Sequence, residues 1–414
     1  MHKFQELGLV IMTDQTRQTL TSWIAKLLFT DSIFKGSILI FNITLALFLQ
    51  DTEVSQHALL ISISLVFYVL CDFGGTTKIL DLLNKLDKIT IIQQIMILRL
   101  MNLVFLIIPS IISLTLLSLL NYLSISIIDI TLILLYTFTL LLNFDALLIY
   151  YRQSEIIGIA GLIGGFTILL GLPITIHLEN HISSFLTLIL ATFFYSISIL
   201  YRVVNKDDVK RIVSWSDYSL ILRENFKHAE AAFVNAFVHQ SPIILLSAFG
   251  SPSLVSSYFL FQRINQIFTM PTSYFVQGMA LKIGGNERDV ENIILKVSIT
   301  LFLIICTVIL LLGVAPHYIN VGLQDYFKLP RMYLFFALSI PLIIQQQYLI
   351  QSYIIDGRIR KYSLLTFLVC VILCVCYFSN RNNMNIQLVI GIWLGTGLLY
   401  TILLWLFKDN KSEA

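Results

Sequence analysis

Residues 201–226 read YRVVNKDDVKRIVSWSDYSLILRENF, a charged interval in the middle of an otherwise nearly continuous apolar chain. Arg202, Lys206, Lys210, Arg211 and Arg223 make it the most basic segment of the protein, and basic connections of membrane proteins stay on the cytoplasmic side. That placement orients every segment on either side of it. Between Val209 and Leu222 the apolar residues Val209, Ile212, Val213, Trp215, Tyr218 and Leu222 recur at helical spacing, with Lys210, Arg211, Ser214 and Asp217 between them. The pattern predicts an amphipathic helix in the headgroup plane anchored by Trp215; a solvated linker is the alternative.

On both sides of this interval the composition excludes a soluble domain. A chain of 414 residues that is 57% hydrophobic and 12% charged, with a mean hydropathy of +0.84, has more apolar surface than one soluble core can hide. It reads as a polytopic membrane protein. The net charge of +3 is too small to suggest nucleic acid as a partner. The first residues lack the basic start, apolar core and small-residue cleavage site of a signal peptide, so they are expected to stay on the mature protein. All five cysteines fall inside apolar runs, where a thiol behaves as a small hydrophobe. Cys370 and Cys374 stand one helical turn apart without histidine or carboxylate neighbours, so neither a metal site nor a cofactor is expected.

A span needs about twenty apolar residues, and by that ruler the chain holds about twelve. Six precede the basic interval: 33–49, 58–78, 92–119, 127–150, 156–176 and 185–201. Six follow it: 226–249, 255–282, 293–314, 332–354, 362–377 and 386–407. The fold class expected is therefore all-α and polytopic, with two six-helix halves around a central cavity. Its parts are an N-terminal lobe (1–201), a cytoplasmic amphipathic linker (202–226) and a C-terminal lobe (227–414). Outside the spans, only Lys328, Arg331 and Arg381 among the basic residues fall on the outer side, which supports an even count and cytoplasmic termini. The outer connections are short, leaving no extracytoplasmic domain for a catalytic centre. Gly161 and Gly165 form a small-xxx-small pair for close helix approach. Pro109, Pro242, Pro271 and Pro341 interrupt further spans, for packing or for bending during access switching.

Charges inside spans are costly, about 2.5–3.5 kcal/mol each on insertion scales, and usually face a bundle interior or a watery cavity. Asp72, Arg99, Asp145 and Arg263 stand out. Arg99 and Asp145 lie at equal depth on adjacent spans, which suggests a buried pair; substrate or proton handling is the alternative. Asp72, just before two glycines, reads as a local cap or pair, or as a functional carboxylate. Arg263 has no acidic residue in its own span and is flanked by Gln262, Asn265 and Gln266. A guanidinium on a cavity wall suits an anionic substrate such as a phosphate. His239 and Gln240 interrupt the seventh span, Gln345, Gln346, Gln347 and Gln351 the tenth, and Asn42 the first. Such groups serve either as helix glue or as partners for sugar hydroxyls in a hydrated cavity.

Two stretches carry a family resemblance. Residues 46–74, ALFLQDTEVSQHALLISISLVFYVLCDFG, resemble the first loop and second helix of Wzx-type O-antigen flippases, which end that helix with an Asp-Phe/Leu-Gly element. FGSPSLVSSY at 249–258, followed by Gln262-Arg263-Ile264, is similar to that family's glycine, small residues and tyrosine with a basic residue further on. The chain departs from the pattern at Gln50-Asp51, where the family often has Gly-Pro, and at Ala231-Ala232, where it often has a proline. The resemblance implies a flippase of the multidrug/oligosaccharidyl-lipid/polysaccharide (MOP) exporter superfamily. It would move an undecaprenyl-diphosphate-linked oligosaccharide across the bacterial inner membrane, with a polymerase and a chain-length regulator of the same pathway as partners. No phosphate-binding G-x-x-x-x-G-K-[ST] loop occurs, so an ion gradient rather than ATP is the expected energy source. A membrane-embedded polysaccharide polymerase would be expected to carry a large outer loop. A drug/cation antiporter of the same superfamily would favour carboxylates in its cavity.

Overall fold

A computed structural model describes residues 14–76, 78–79, 88–120, 123–150, 153–203, 215–280, 296, 299, 303, 330–355 and 358–407. Twelve α-helices follow one another along them, and among the described residues there is no strand. In chain order they are α1 (Asp14–Phe48), α2 (Asp51–Asp72), α3 (Lys88–Leu119), α4 (Ile127–Leu141), α5 (Asp145–Tyr150) and α6 (Ser154–Leu178). Then come α7 (His181–Val203), α8 (Trp215–Phe249), α9 (Pro252–Ala280), α10 (Pro330–Ile355), α11 (Ile359–Ser379) and α12 (Ile386–Leu406). Among the described residues eight segments are long and apolar enough to cross a membrane, with α4 and α5 together forming one of them, and Ser32–Phe48 of α1 is a shorter apolar stretch. The expected span at 293–314 lies outside the described residues apart from three isolated helical positions. Helices α9 and α10 stand where spans are expected but fall outside those eight. They carry Gln262, Arg263, Asn265 and Gln266, and Gln345, Gln346 and Gln347, which is where the sequence places its polar intramembrane groups.

The helix ends explain most differences from the hydropathy ruler. Polar residues 51–57 read as a loop but form the first two turns of α2, with acidic Asp51 and Glu53 in its first turn, where they complement the helix dipole. Helix α2 stops at Asp72 because Phe73 turns left-handed (φ 45°) and Gly74 follows at φ 73°. The span expected at 127–150 breaks into α4 and α5 across residues 142–144. There Asn143 accepts the backbone N–H of Asp145 at 2.9 Å. Residues 209–214 of the expected interfacial helix lie outside the described residues, whereas 215–222 form the first two turns of the 35-residue α8 rather than a separate element. Pro109, Pro173, Pro242 and Pro341 all lie inside continuous helices.

The described residues divide into two compact units. One draws on segments 25–263 and 366–384, the other on 264–365 and 385–414 with the start of the chain; the chain passes from the first to the second after Arg263, inside α9. In the first unit α6 packs along α7, and α2 packs against α3, α4, α7 and α8. The glycines of α6 set its approach to α1. A side chain at Gly158 would meet Thr30 at 3.0 Å, one at Gly161 the Thr30 carbonyl at 3.3 Å, and one at Gly165 the Ser37 hydroxyl at 2.9 Å. The small-residue spacing seen in the sequence is thus used for close helix packing. In the second unit α10 packs on α12, where Gln346 donates to the Gly397 carbonyl at 2.7 Å and Tyr353 to that of Leu404 at 3.0 Å.

Candidate functional site

Three groups of polar residues lie inside the helices, and each is built differently. The first is centred on Arg99, which is 3% exposed. Its Nε donates to Asp72 Oδ1 at 2.7 Å, and Nη1 donates to the carbonyls of Leu141 and Asn143, each at 2.7 Å. Its Nη2 donates to Thr76 Oγ1 at 3.0 Å. Asp72 also accepts the Thr76 backbone N–H at 2.9 Å and the Thr76 hydroxyl at 3.1 Å. One guanidinium therefore holds two interruptions together, the end of α2 at Asp72 and the break between α4 and α5. Leu141 and Asn143 would otherwise leave carbonyls unsatisfied in an apolar setting. The Arg99–Asp145 pair expected from equal depth is not formed: Arg99 turns to Asp72, and Asp145 lies 3.9 Å from Lys35 of α1. The reason is the chain break, since the Asp145 carboxylate accepts the Ala146 N–H at 2.7 Å at the start of its own helix.

The second group lies where α2 meets α1 and α7. His57, fully buried, has Nε2 3.0 Å from Asn42 Oδ1 and Nδ1 2.8 Å from Ser184 Oγ. Phe41, Phe185 and Phe259 surround its ring at centroid distances of 6.3, 5.8 and 6.2 Å. Asn42, a cavity candidate in the sequence, is 1% exposed and serves to hold His57. Its Nδ2 is buried without a hydrogen-bond partner.

The third group holds the remaining candidates. Arg263 is 8% exposed, with its guanidinium carbon 4.5 Å from the centroid of the Phe259 ring one turn earlier. Gln262 donates through Nε2 to the His239 carbonyl at 3.3 Å, joining α9 to α8, and its Oε1 is buried without a partner. His239 is exposed although it lies within an apolar stretch of α8. At about 1.5 Å per residue, His239 stands roughly 15 Å from the Phe249 end of α8 and Arg263 roughly 17 Å from the Pro252 end of α9. Both are near the middle of a hydrocarbon layer about 30 Å thick. The structure thus brings Gln262, Arg263 and His239 to one depth on adjacent helices. Gln266 is half-buried one turn further along, in the second unit, where neighbouring Asn265 accepts from Ser339 at 3.2 Å.

His57, Glu53, Asp129 and His181 are polar partners that the sequence reading did not single out. The signal available was a histidine six residues after an acidic helix start, Asp51, but the hydropathy ruler assigns that stretch to a loop.

Neither the comparison with protein-family models nor that with curated protein sequences finds a match. Solved structures do match over nearly the whole chain, several of them described as MATE transporters or as transporters of the MOP superfamily. The chain is similar to the MATE multidrug transporter DinF-BH: TM-score 0.63, 16% identity, covering 94% of this chain and 95% of that one. It is similar to an inward-facing MATE family transporter of the MOP superfamily at TM-score 0.61 and 15% identity, covering 91% and 93%. A MOP superfamily transporter from Pyrococcus furiosus aligns at TM-score 0.54 and 13% identity, covering 94% and 95%. The chain has the twelve-helix fold of these transporters.

Proposed function

We propose that this protein is a membrane transporter of an anionic amphiphile, and specifically a flippase for an undecaprenyl-diphosphate-linked oligosaccharide of surface-polysaccharide assembly in the bacterial inner membrane. The observation that carries the reading is the sign of the charge set among the polar side chains of the helices, with Arg263 at mid-depth. Asp72 is bound by Arg99, Asp145 faces Lys35, and Arg263 lies next in the chain to Gln262, whose amide reaches the backbone of His239. A guanidinium offers a diphosphate a planar set of donors, and amide and imidazole groups suit sugar hydroxyls. The Pyrococcus furiosus transporter is described as having a binding pocket of reverse polarity that suggests a different function, so the fold accommodates cavities of either sign. A second reading, export of cationic drugs, draws on the multidrug transporters among the matching structures.

Reconstituted vesicles loaded with a lipid-linked oligosaccharide, compared with vesicles offered a panel of cationic drugs, separate the two. Translocation of the saccharide and not the drugs is expected. Arg263→Ala should abolish translocation while membrane abundance stays near normal, Arg263→Lys should retain part of it, and Arg263→Glu should be inactive. Drug movement without saccharide movement transfers the protein to the second reading. Normal saccharide movement by Arg263→Ala removes Arg263 from the mechanism.

A further inference from the structure

At the end of the first unit where α2, α4 and α7 begin, His181 lies between two carboxylates. Its Nδ1 is 2.8 Å from Glu53 Oε2 and its Nε2 is 3.1 Å from Asp129 Oδ1. Each ring nitrogen is turned to a different carboxylate, so the three side chains do not converge on a point, and among the described residues no group is arranged to hold a metal ion.

Counting protons decides what this cluster holds. Asp129 Oδ2 already accepts the Ser126 backbone N–H at 2.8 Å, the Ser126 hydroxyl at 2.8 Å and the Gln56 amide at 3.2 Å. Those three donors leave no hydrogen on Oδ2 and favour the ionised carboxylate, in which Oδ1 takes its hydrogen from His181 Nε2. A neutral imidazole would then present a bare lone pair from Nδ1 to Glu53 Oε2, which itself accepts the His181 backbone N–H at 2.7 Å. Two lone pairs facing each other at that distance repel. One further proton on Nδ1 removes the conflict and leaves every nitrogen donating to an ionised oxygen.

We infer that Glu53, His181 and Asp129 form a proton-binding site in which His181 is an imidazolium, and that this proton ties the start of α7 to the starts of α2 and α4. The site is independent of what the protein transports. The titratable groups facing His181 are Glu53 from α2 and Asp129 from α4. His57 of α2 comes next, through Ser184, whose hydroxyl is 2.8 Å from His57 Nδ1 and 2.7 Å from the His181 carbonyl. At the end of neighbouring α6, His177 and the following Glu179, which caps the helix, are exposed. Loss of the proton as pH rises exposes the lone-pair conflict and loosens α7 from its two partners.

The test is the ring-nitrogen magnetic resonance spectrum of the full-length protein labelled with nitrogen-15 at histidine. At neutral pH the wild type should show a ring with both nitrogens protonated that is absent from His181→Gln. In Glu53→Gln, which keeps Asp129 and its Ser126 cap, the same ring should be neutral. As pH rises, the thermal midpoint advantage of wild type over His181→Gln should shrink to nothing. A His181 ring with a single protonated nitrogen in the wild type overturns the assignment. So does an imidazolium that persists in Glu53→Gln, or a pH-independent midpoint difference.

Discussion

Arg99 and Asp72 show how one buried charge is made tolerable. The guanidinium's bonds to a carboxylate, a hydroxyl and two carbonyls, with the Phe144 ring 4.8 Å away, replace the water it gives up. Removing either partner strands the other in a low dielectric, a loss of about 3–5 kcal/mol. Asp72→Ala and Arg99→Ala are therefore expected to fall sharply in membrane abundance and in the thermal midpoint of detergent-purified protein. Asp145→Asn should change the midpoint little, because its pair with half-buried Lys35 is long and such pairs contribute less than about 1 kcal/mol. A large loss in Asp145→Asn with a small one in Asp72→Ala would restore the pairing expected from depth alone. The sequence revealed which residues carry the costly charges but not who meets whom. Depth on neighbouring helices does not record that α2 ends at a left-handed Phe73, or that α4 breaks and offers carbonyls.

At the scale of the element, the Asp72–Gly75 turn acts as a seat for α8. A Cβ on Gly74 would lie 2.5 Å from the backbone N of Ala229 and 2.5 Å from the backbone C of His228, and the residue sits at φ +73°, a region other residues enter at a cost. Around this contact Lys78 pairs with Glu224 at 2.9 Å. Tyr218 donates to Asn102 at 2.8 Å, and Asn102 donates to the Cys71 carbonyl at 3.1 Å. Gly74→Ala should push α8 off α2 and lose most of the folded protein. Gly391→Ala in α12, with nothing within 4 Å of its new methyl, should be neutral or gain up to about 1 kcal/mol from helix propensity. Fluorescence-detected size-exclusion profiles of the two variants make the comparison; equal profiles would mean the seat is not rigid. The turn was legible as a motif, Asp-Phe-Gly, but its reason was not. The reason is a contact between residues 74 and 229, far apart in the chain. The start of α2 is hard to read for a related cause: polarity at 51–57 marks a helix start with acidic residues in its first turn as readily as a loop, and only burial of His57 distinguishes them.

For the whole molecule, hydropathy was enough to predict a polytopic all-α fold, because backbone groups in lipid must be satisfied within helices. The site candidates were only partly legible. Gln262 of α9 reaches the His239 backbone of α8 with Arg263 beside it in the chain, whereas Asn42 proves to be a buried partner of His57. Orientation in the membrane is a separate matter, decided by where lysine and arginine fall rather than by packing. The basic interval at 201–226 and the paired ends of α2, α4 and α7, rich in carboxylates and histidine, lie at opposite ends of α7, since that helix runs from His181 to Val203. If positive residues hold the first end in the cytoplasm, the His181 cluster faces the outside and meets the external pH. A reporter active only outside the cytoplasm, inserted after Asn180 or after Pro252, should be active. The same reporter after Lys210 or at Ala414 should be silent, and a cytoplasmic reporter should give the reverse. Activity after Lys210 would invert the molecule, place the proton site against cytoplasmic pH and reverse the leaflet from which Arg263 is approached.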